Sequence, residues 1–480
     1  MYHFYVGKIG ICANFQVEYL ISASKMPMAV IIFEQWKGDL AMERFAMKDL
    51  IAWKNSPRRR PLLVQGARQV GKTWLIKEFG RANFNDIAYV NFLEDEAMGR
   101  QFDGELAPSR LLDAMSLYTG VNAKDPETLV VLDEIQECPR ALTALKAFAE
   151  RSPETALVAA GSLLGVALHR GVSFPVGKVD HLFVYPMTFN EYLLATGNKP
   201  MLQALEHADF DLVDSLSERY IEQLRNYYFV GGMPEVVQVF LDTGSFSDAR
   251  KQQDRLLFDY EHDFSKYADA SLAEKIRLVW NSAPGQLARE NKKFIYSAVR
   301  TGARARGYEE AIQWLVDAGL LLRVNRIAKP GLPLASYEDR DAFKIYLFDV
   351  GLLGAASRLD ASVLVEGHEL FSEFKGALTE NYVCQELVAS GKVVPYYWSA
   401  ENSSGEVDFV YDYGRSVVPV EAKAATNLKA KSLRLFVERN HLNRGLRLSL
   451  SPFKEQDWVV NLPLYAAGLL PDWFARAQKG

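Results

Sequence analysis

Short apolar runs alternate with helix-like stretches in the first part of the chain. Each run has the length and composition of a strand that is buried on both faces of a parallel sheet. Before the first run, Phe45, Leu50 and Trp53 share one face of a predicted helix. This alternation predicts an α/β fold with a parallel sheet. The predicted strands are Pro61–Gln65, Ile87–Phe92, Leu129–Leu132 and Ala156–Ala160.

The pattern changes further along the chain. Residues 186–270 are rich in helical periodicity. A helix at Tyr308–Ala318, capped by Gly319, then precedes two predicted strands, and this order is typical of a winged helix. We therefore predict an irregular N-terminal extension (1–45), a first α/β core (46–185), a helical segment (186–270), a winged-helix-like region (271–355) and a C-terminal α/β domain (356–480).

The turn after the first predicted strand reads Gly66-Ala-Arg-Gln-Val-Gly71-Lys72-Thr73, the form G-x-x-x-x-G-K-[ST] of a phosphate-binding loop. A helix-like stretch follows, which Gly80 is expected to end, so backbone N–H groups and a helix N-terminus would face the phosphates. Lys72 would place its charge against the β- and γ-phosphates, and the Thr73 hydroxyl would ligate Mg²⁺. We therefore predict binding of ATP with Mg²⁺. The predicted contacts are Gly66, Ala67, Arg68, Gln69, Val70, Gly71, Lys72, Thr73 and Trp74.

The third predicted strand ends in two carboxylates, Asp133 and Glu134. Strands of a parallel sheet deliver such residues to the carboxyl edge, where ligands collect. Asp133 would hold Mg²⁺, and Glu134 would orient or deprotonate the water that attacks the γ-phosphate. Ser162 follows the next strand and is a candidate to sense the γ-phosphate, with a simple helix cap as the alternative. These residues predict hydrolysis as well as binding.

A second group of candidate residues lies near the C-terminal end of the chain. Glu421 and Lys423 are two positions apart and share one face of a predicted strand, while Asp408 lies in the strand before it and Glu380 in a helix upstream. The arrangement resembles a PD-(D/E)XK nuclease core, in which carboxylates bind a divalent metal and a lysine helps to activate water. Glu406-Val-Asp408 replaces the leading Pro-Asp pair. A domain that keeps this fold without cleavage is therefore an open alternative.

Composition limits the kinds of partner. Hydrophobic residues make up 49% and charged residues 24% of the 480 residues, as in globular proteins with several cores. The net charge is −5, so nucleic-acid binding would depend on local basic patches. The clearest patch combines Lys292, Lys293, Arg300, Arg304 and Arg306, and a purely packing role for that region stays open.

Cysteine usage and hydropathy indicate the compartment. Cys12, Cys138 and Cys384 are far apart and have no Cys or His partners at ligand spacing, which disfavours a disulfide framework and a zinc site. No apolar run has the length of a membrane span. We therefore expect a cytoplasmic protein without a membrane partner. Whether residues 1–41 are translated stays open, because Met42 and Met47 are alternative starts.

Several motifs occur together in a fixed order. They are the loop at 66–73, LDEIQ at Leu132–Gln136, GSLLG at Gly161–Gly165, FPVGKV and VYPMTFNEYL between Phe174 and Leu194, and YFVGGMPEVV at Tyr228–Val237. In this combination the chain resembles a prokaryotic group of AAA-type ATPases with a C-terminal domain of unknown function, family 4143. The resemblance implies an AAA-like core, a helical lid over 186–270, a winged-helix region and a restriction-endonuclease-like end. It also implies that a neighbouring subunit supplies an arginine, for which Arg170 is one candidate.

The sequence therefore predicts an AAA-type ATPase whose Mg·ATP state controls a DNA-binding or DNA-cleaving C-terminal half. DNA, a second copy of the chain and a partner protein are candidate partners, and a second divalent metal would belong to the C-terminal site. The alternative is a nucleotide-dependent switch or scaffold that binds partner proteins and carries an inactive nuclease-like domain. A metabolic kinase is disfavoured, because phosphoryl transfer to a metabolite does not need the water-activating Glu134.

Overall fold

The structure is a computed structural model that describes residues 42–162, 164–165, 177–289, 293–360, 372–400, 405–424 and 430–477. The predicted extension up to residue 41, Cys12, Arg170, Lys292 and the first residues of the FPVGKV motif lie outside the described residues.

A parallel sheet forms the first core. All neighbouring strands pair in parallel in the order β2-β3-β4-β1-β5. The strands predicted from the sequence are confirmed, whereas β5 alternates half-buried and exposed residues at the sheet edge and carries no apolar run that would predict it. The ends of β3, β4 and β1 therefore lie side by side. The strands are β1 (Leu62–Gln65), β2 (Asp86–Asn91), β3 (Thr128–Asp133), β4 (Ala156–Gly161) and β5 (Asp180–Phe183).

Helices cover both faces of this sheet. Alternate strand residues face opposite sides, so Leu129 and Val131 pack with the helix after the loop, whereas Val130 and Leu132 pack with two helices on the other face. Full burial of one such side chain contributes roughly 1.5–3 kcal/mol. The helices of the first core are Ala46–Lys54, Lys72–Asn83, Glu96–Arg100, Pro108–Thr119 and Pro139–Arg151.

The prediction that Gly80 ends the helix after the loop is wrong. The helix Lys72–Asn83 continues through it, and Phe84 is its C-terminal cap residue. A Cβ at position 80 would lie 2.6 Å from Cδ1 of Ile87. The glycine is therefore a packing residue, which lets the helix approach the sheet closely.

Residues from Thr188 to Arg358 are mostly helical. Thr188 and Glu191 form a capping box at the start of this segment. Gly319, at φ 73°, follows the helix Ala305–Asp317 as the predicted cap. The helices are Phe189–Ala195, Lys199–Glu206, Phe210–Ser215, Ser217–Val230, Pro234–Thr243, Phe246–Tyr267 (the long helix), Ala270–Leu287, Tyr296–Val299, Ala305–Asp317 and Val350–Ala356.

A second, mixed sheet spans the winged-helix-like region and the C-terminal domain. Its order is β12-β13-β11-β10-β9-β8-β6-β7. The antiparallel hairpin β6–β7 joins the C-terminal strands through a parallel contact of β6 with β8 at Arg326 and Tyr397. The helix Ser372–Ala389 packs against β7 and β10, and the helix Lys431–Arg439 against β9 and β10. A last helix is Leu470–Ala477. The strands are β6 (Leu321–Ile327), β7 (Glu338–Leu347), β8 (Tyr396–Ser399), β9 (Glu406–Tyr413), β10 (Ser416–Ala422), β11 (Gly445–Ser449), β12 (Lys454–Glu455) and β13 (Val459–Pro463).

The α/β class, with a parallel-sheet core around the loop and an additional C-terminal sheet, is therefore confirmed. The predicted domain boundaries stay predictions. One sheet crosses the predicted boundary at residue 355, so the regions on its two sides share a core.

Candidate functional site

The loop at 66–73 lies between β1 and the helix Lys72–Asn83, in the strand–loop–helix context that the motif requires. Gly66 has φ 146°, and a Cβ there would lie 2.1 Å from the carbonyl oxygen of Val184. Gly71 has φ 90°, which is also a conformation for glycine. Ala67 and Val70 bury their side chains, so the groups that they can offer a ligand are in the backbone. Trp74 is 40% exposed.

The Lys72 ammonium lies inside the loop. Its Nζ donates to the carbonyl oxygens of Gly66 (2.9 Å) and Ala67 (2.8 Å). Burial lowers the pKa of Lys72 to about 8, although the carboxylates of Glu134 and Asp133 act in the opposite direction. The charge is thus held by neutral acceptors, and no carboxylate neutralises it through a direct bond among the described contacts.

The Arg44 side chain stabilises the loop by hydrogen bonds. Its guanidinium donates to the carbonyl oxygens of Val70 (2.8 Å) and Tyr185 (2.6 Å) and to the carboxylate of Glu191 (3.1 Å). The side chain is buried. The sequence gives no signal for this role, because an isolated arginine before a helix belongs to no motif.

Asp133 ends β3 next to the loop. Its Oδ2 accepts hydrogen bonds from the Thr73 hydroxyl (2.8 Å) and from the Tyr89 hydroxyl (2.8 Å). Its Oδ1 accepts from the backbone N–H of Glu134 (3.0 Å). Adjacent hydroxyl and carboxylate oxygens are hard ligands of the kind that Mg²⁺ takes, so the predicted pair Thr73 and Asp133 fits this ion. Tyr89 is an additional partner that the sequence did not identify.

Glu134 lies just beyond the strand in the left-handed region, at φ 50°. Its Oε2 accepts from Nε2 of Gln136 (2.5 Å) and from the Ser162 hydroxyl (3.3 Å). Lys72, Asp133, Glu134 and Ser162 thus converge at the edge where β3, β4 and β1 end. Gln136 lies within the LDEIQ motif, but only the fold reveals that its side chain turns back onto Glu134.

The long helix runs past the loop. Asp263 forms an ion pair with the Arg68 guanidinium (2.7 Å), and the Tyr260 hydroxyl donates to the Arg68 carbonyl oxygen (2.8 Å). Gln69, at φ 66°, donates to the carboxylate of Asp259 (3.3 Å). The acidic face of this helix therefore packs against the variable positions of the loop.

The C-terminal candidates also converge. Lys423 pairs with Oε1 of Glu421 at 2.5 Å, and Oδ2 of Asp408 accepts from the backbone N–H of Ala422 at 2.8 Å. The Glu380 carboxylate also acts electrostatically on both Glu421 and Lys423.

A buried lysine that the sequence did not identify completes this C-terminal group. Lys344 of β7 bonds to Glu406 and lies 3.7 Å from Oε2 of Glu380. Burial alone would lower its pKa, but Glu380, Glu406 and Asp408 together raise it. We call Lys344, Glu380, Glu406, Asp408, Glu421 and Lys423 the C-terminal charge cluster.

One carboxylate oxygen of the cluster is not satisfied. Burial raises the pKa of Glu421 despite the nearby Lys423, and its Oε2 has no hydrogen-bond partner among the described residues. Among all the residues that the structure describes, no group of three or more His, Cys, Asp or Glu side chains has the geometry to hold a metal ion.

The predicted basic patch is only partly described. Lys293, Arg300, Arg304 and Arg306 are exposed, and Arg304 precedes the helix Ala305–Asp317. Glu309 and Glu310 are exposed on that same helix. In the part of the chain that the structure covers, no helix combines the length and apolar composition needed to cross a membrane.

Family models match three successive parts of the chain. Residues 58–193 match an AAA domain, residues 221–363 match a domain of unknown function (DUF8612), and residues 375–465 match another domain of unknown function (DUF4143). The AAA match contains the loop, the acidic strand and Ser162. The DUF4143 match contains the four carboxylates of the C-terminal charge cluster, whereas Lys344 lies in the DUF8612 match.

The solved structures that match include two that are only distantly similar. The Walker-type ATPase PABY2304 of Pyrococcus abyssi is 14% identical, with a TM-score of 0.41, and the match covers 66% of this chain and 96% of that chain. The Orc1 protein of Aeropyrum pernix in complex with DNA is 14% identical, with a TM-score of 0.26, and the match covers 65% and 90%. Both TM-scores are too low to indicate a function for this chain, and no curated protein matches it.

Proposed function

Because the chain carries an AAA-type P-loop ATPase domain joined to a DUF4143 domain, we propose that it hydrolyses Mg·ATP and that its nucleotide state controls the C-terminal half. The observation that carries the proposal is the junction of loop and acidic strand. The Thr73 hydroxyl bonds to Asp133, while Glu134 and Ser162 meet beside them.

The contacts support a role for each residue. The backbone N–H groups of the loop and the Lys72 ammonium bind the β- and γ-phosphates and offset their charge. Glu134 orients a water for in-line attack and accepts its proton as the bond between the γ-phosphorus and the bridging oxygen breaks. Gln136 and Ser162 hold the carboxylate of Glu134 in place. Thr73 and Asp133 would hold Mg²⁺, which supplies further positive charge at the phosphates.

Two variants test this proposal. Lys72→Ala should abolish ATP binding, whereas Glu134→Gln should retain binding and lower turnover by about 10²–10⁴-fold. Binding is measured with a fluorescent ATP analogue and turnover by phosphate release. Lys124→Ala and Glu96→Gln change exposed side chains of the same types and serve as matched controls. An unchanged turnover in Lys72→Ala would overturn the proposal.

We propose DNA as the partner of the exposed arginines. Arg300, Arg304 and Arg306 precede or begin the helix Ala305–Asp317, which is followed by the hairpin β6–β7, and this supports a winged-helix mode of binding. Arg304→Glu combined with Arg306→Glu should weaken binding to DNA of any sequence and reduce the salt slope by about 2. Arg81→Glu, at an exposed position in the first core, is the control. If the double variant and the Arg81→Glu control bound DNA equally well, this surface would be excluded as the DNA-binding site.

Metal-dependent DNA cleavage is the second candidate function. The partnerless Oε2 of Glu421, beside Asp408 and Lys423, favours it. For this, the carboxylates of Glu380, Asp408 and Glu421 would have to rearrange around a divalent metal, because no such group in the described residues has the geometry to hold one, and Lys423 would help to activate water. Supercoiled DNA is incubated with Mg²⁺ or Mn²⁺, with and without ATP, and the protein is compared with Asp408→Asn. Cleavage that the substitution abolishes supports a nuclease. No cleavage under any condition favours the switch that binds partner proteins.

A further inference from the structure

The loop meets the long helix through its variable positions. The motif fixes Gly66, Gly71, Lys72 and the hydroxyl residue after it, but leaves position 68 free. In this chain Arg68 occupies that position. Its guanidinium bonds to Asp263 at 2.7 Å, and its carbonyl oxygen accepts from Tyr260 at 2.8 Å.

The two partners of this ion pair differ in exposure. The Arg68 side chain is 38% exposed, whereas that of Asp263 is 9% exposed. The Arg68 charge also reaches the nucleotide site, because it interacts electrostatically with both Lys72 and Glu134. Arg68 therefore belongs to the loop that would bind the phosphates and also forms an ion pair with a nearly buried carboxylate.

We propose that Arg68 exchanges partners with the nucleotide state: it pairs with Asp263 when ADP or no nucleotide is bound, and it binds the γ-phosphate when ATP is bound. The inference rests on the proposed binding of ATP. A guanidinium forms strong, bidentate hydrogen bonds to phosphate oxygens, so ATP competes with Asp263 for it. Asp263 is then a nearly buried carboxylate without its cation, which is a costly arrangement. The long helix shifts to relieve it.

The long helix can carry that shift away from the site. Gln253 donates to the carbonyl oxygens of Phe229 (2.7 Å) and Val230 (2.9 Å), and Arg250 donates to that of Leu359 (2.9 Å). The helix also packs against the helix Val350–Ala356, which contacts β7 and the helix Ser372–Ala389. One side chain of the loop is thus connected to the region that holds the C-terminal sheet.

The affinities for ATP-like and ADP nucleotides test whether Arg68 binds the γ-phosphate. Affinities for ADP and for a non-hydrolysable ATP analogue are measured for the full chain and for Arg68→Ala. The substitution should weaken binding of the analogue by about tenfold or more and leave that of ADP within about threefold. Asp263→Asn removes the competitor and should strengthen binding of the analogue. Arg81→Ala, an exposed and ion-paired arginine on the loop helix, should change neither affinity.

Hydrogen exchange of residues 246–267 tests whether the long helix shifts with the nucleotide state. In the unmodified chain the analogue, but not ADP, should alter exchange in the long helix, and Arg68→Ala should lose this response. Arg68→Lys keeps a charge without the bidentate fork and should respond weakly. The inference would be overturned if Arg68→Ala still hydrolysed ATP, distinguished the analogue from ADP as well as the unmodified chain does, and showed the same exchange response in the long helix. Failure of the unmodified chain to bind either nucleotide would instead overturn the proposed function.

Discussion

In the nucleotide site the carboxylates of Asp133 and Glu134 are met by neutral donors, whereas in the C-terminal charge cluster the carboxylates are met by lysines. Hydroxyl, amide and backbone N–H groups surround the first pair. In the cluster, Lys344 lies between Glu406 and Glu380, and Lys423 pairs with Glu421. The charges of the nucleotide site therefore stay available to bind a polyanion and its cation. In the C-terminal charge cluster most of the charges already pair with one another.

The largest effect should distinguish the aspartates of the two sites. Asp133→Asn removes the carboxylate that Thr73 contacts and should lower ATP turnover by about a hundredfold or more. Asp408→Asn should leave turnover unchanged, because it belongs to the other cluster. Phosphate release by the two variants is compared under saturating ATP. Equal losses would show that the C-terminal cluster takes part in hydrolysis.

Removing the buried lysines should affect stability in different ways. Lys344→Met leaves Glu380 and Glu406 without their shared cation and should lower the free energy of unfolding by about 3–5 kcal/mol. Lys72→Met removes a charge that burial disfavours, so its stability should change little. Both are measured by urea unfolding. Adding Glu406→Gln to Lys344→Met should restore part of the loss, and no restoration would argue against a charge effect.

Another buried carboxyl, that of Glu386, has no cation among its described contacts. It accepts from the backbone N–H of Phe189 at 2.8 Å, and neither its Oε2 nor Oδ1 of Asn190 has a partner in the described chain. Burial raises its pKa from 4.5 to about 8. Between these values the folded protein holds more protons than the unfolded chain, so the contribution of Glu386 to stability is present below pH 4.5 and is lost as the pH rises to about 8.

Glu386→Gln should remove that part of the pH dependence. The amide cannot ionise. We expect the variant to be more stable than the unmodified chain by a few kcal/mol above pH 8 and similar to it near pH 5. Urea unfolding across this range is the measurement. Parallel pH profiles would show that the carboxyl is not buried in solution.

The smallest effect concerns Tyr89. Tyr89→Phe removes one hydrogen bond to Asp133 but leaves Thr73 in contact with the same oxygen. A bond of this kind contributes about 1 kcal/mol, so turnover should fall by roughly fivefold. Phosphate release provides the readout, with Tyr118→Phe, an exposed tyrosine, as the control. A loss as large as that of Asp133→Asn would mean that Tyr89 has a direct role.

The nucleotide site could be predicted from the sequence because its parts are local. The loop is one unbroken segment, and Asp133 and Glu134 follow an apolar strand whose partners share its pattern. Tyr89 and Lys344 could not be predicted, because each contact joins positions 44 or 62 residues apart and depends on strand order. The error at Gly80 has another cause. A glycine that ends a helix and one that allows close packing look alike until the neighbouring strand is known.

The contact of β6 with β8 has a consequence for synthesis of the protein. The first sheet is complete once residue 183 has left the ribosome, so its strands can pair while the rest is translated. The hairpin β6–β7 must wait for Tyr397 before β6 has a neighbour on its second side. Until then β6 presents a free edge that can recruit strands of other nascent chains. A chain that stops between β7 and β8 would keep that edge and should aggregate.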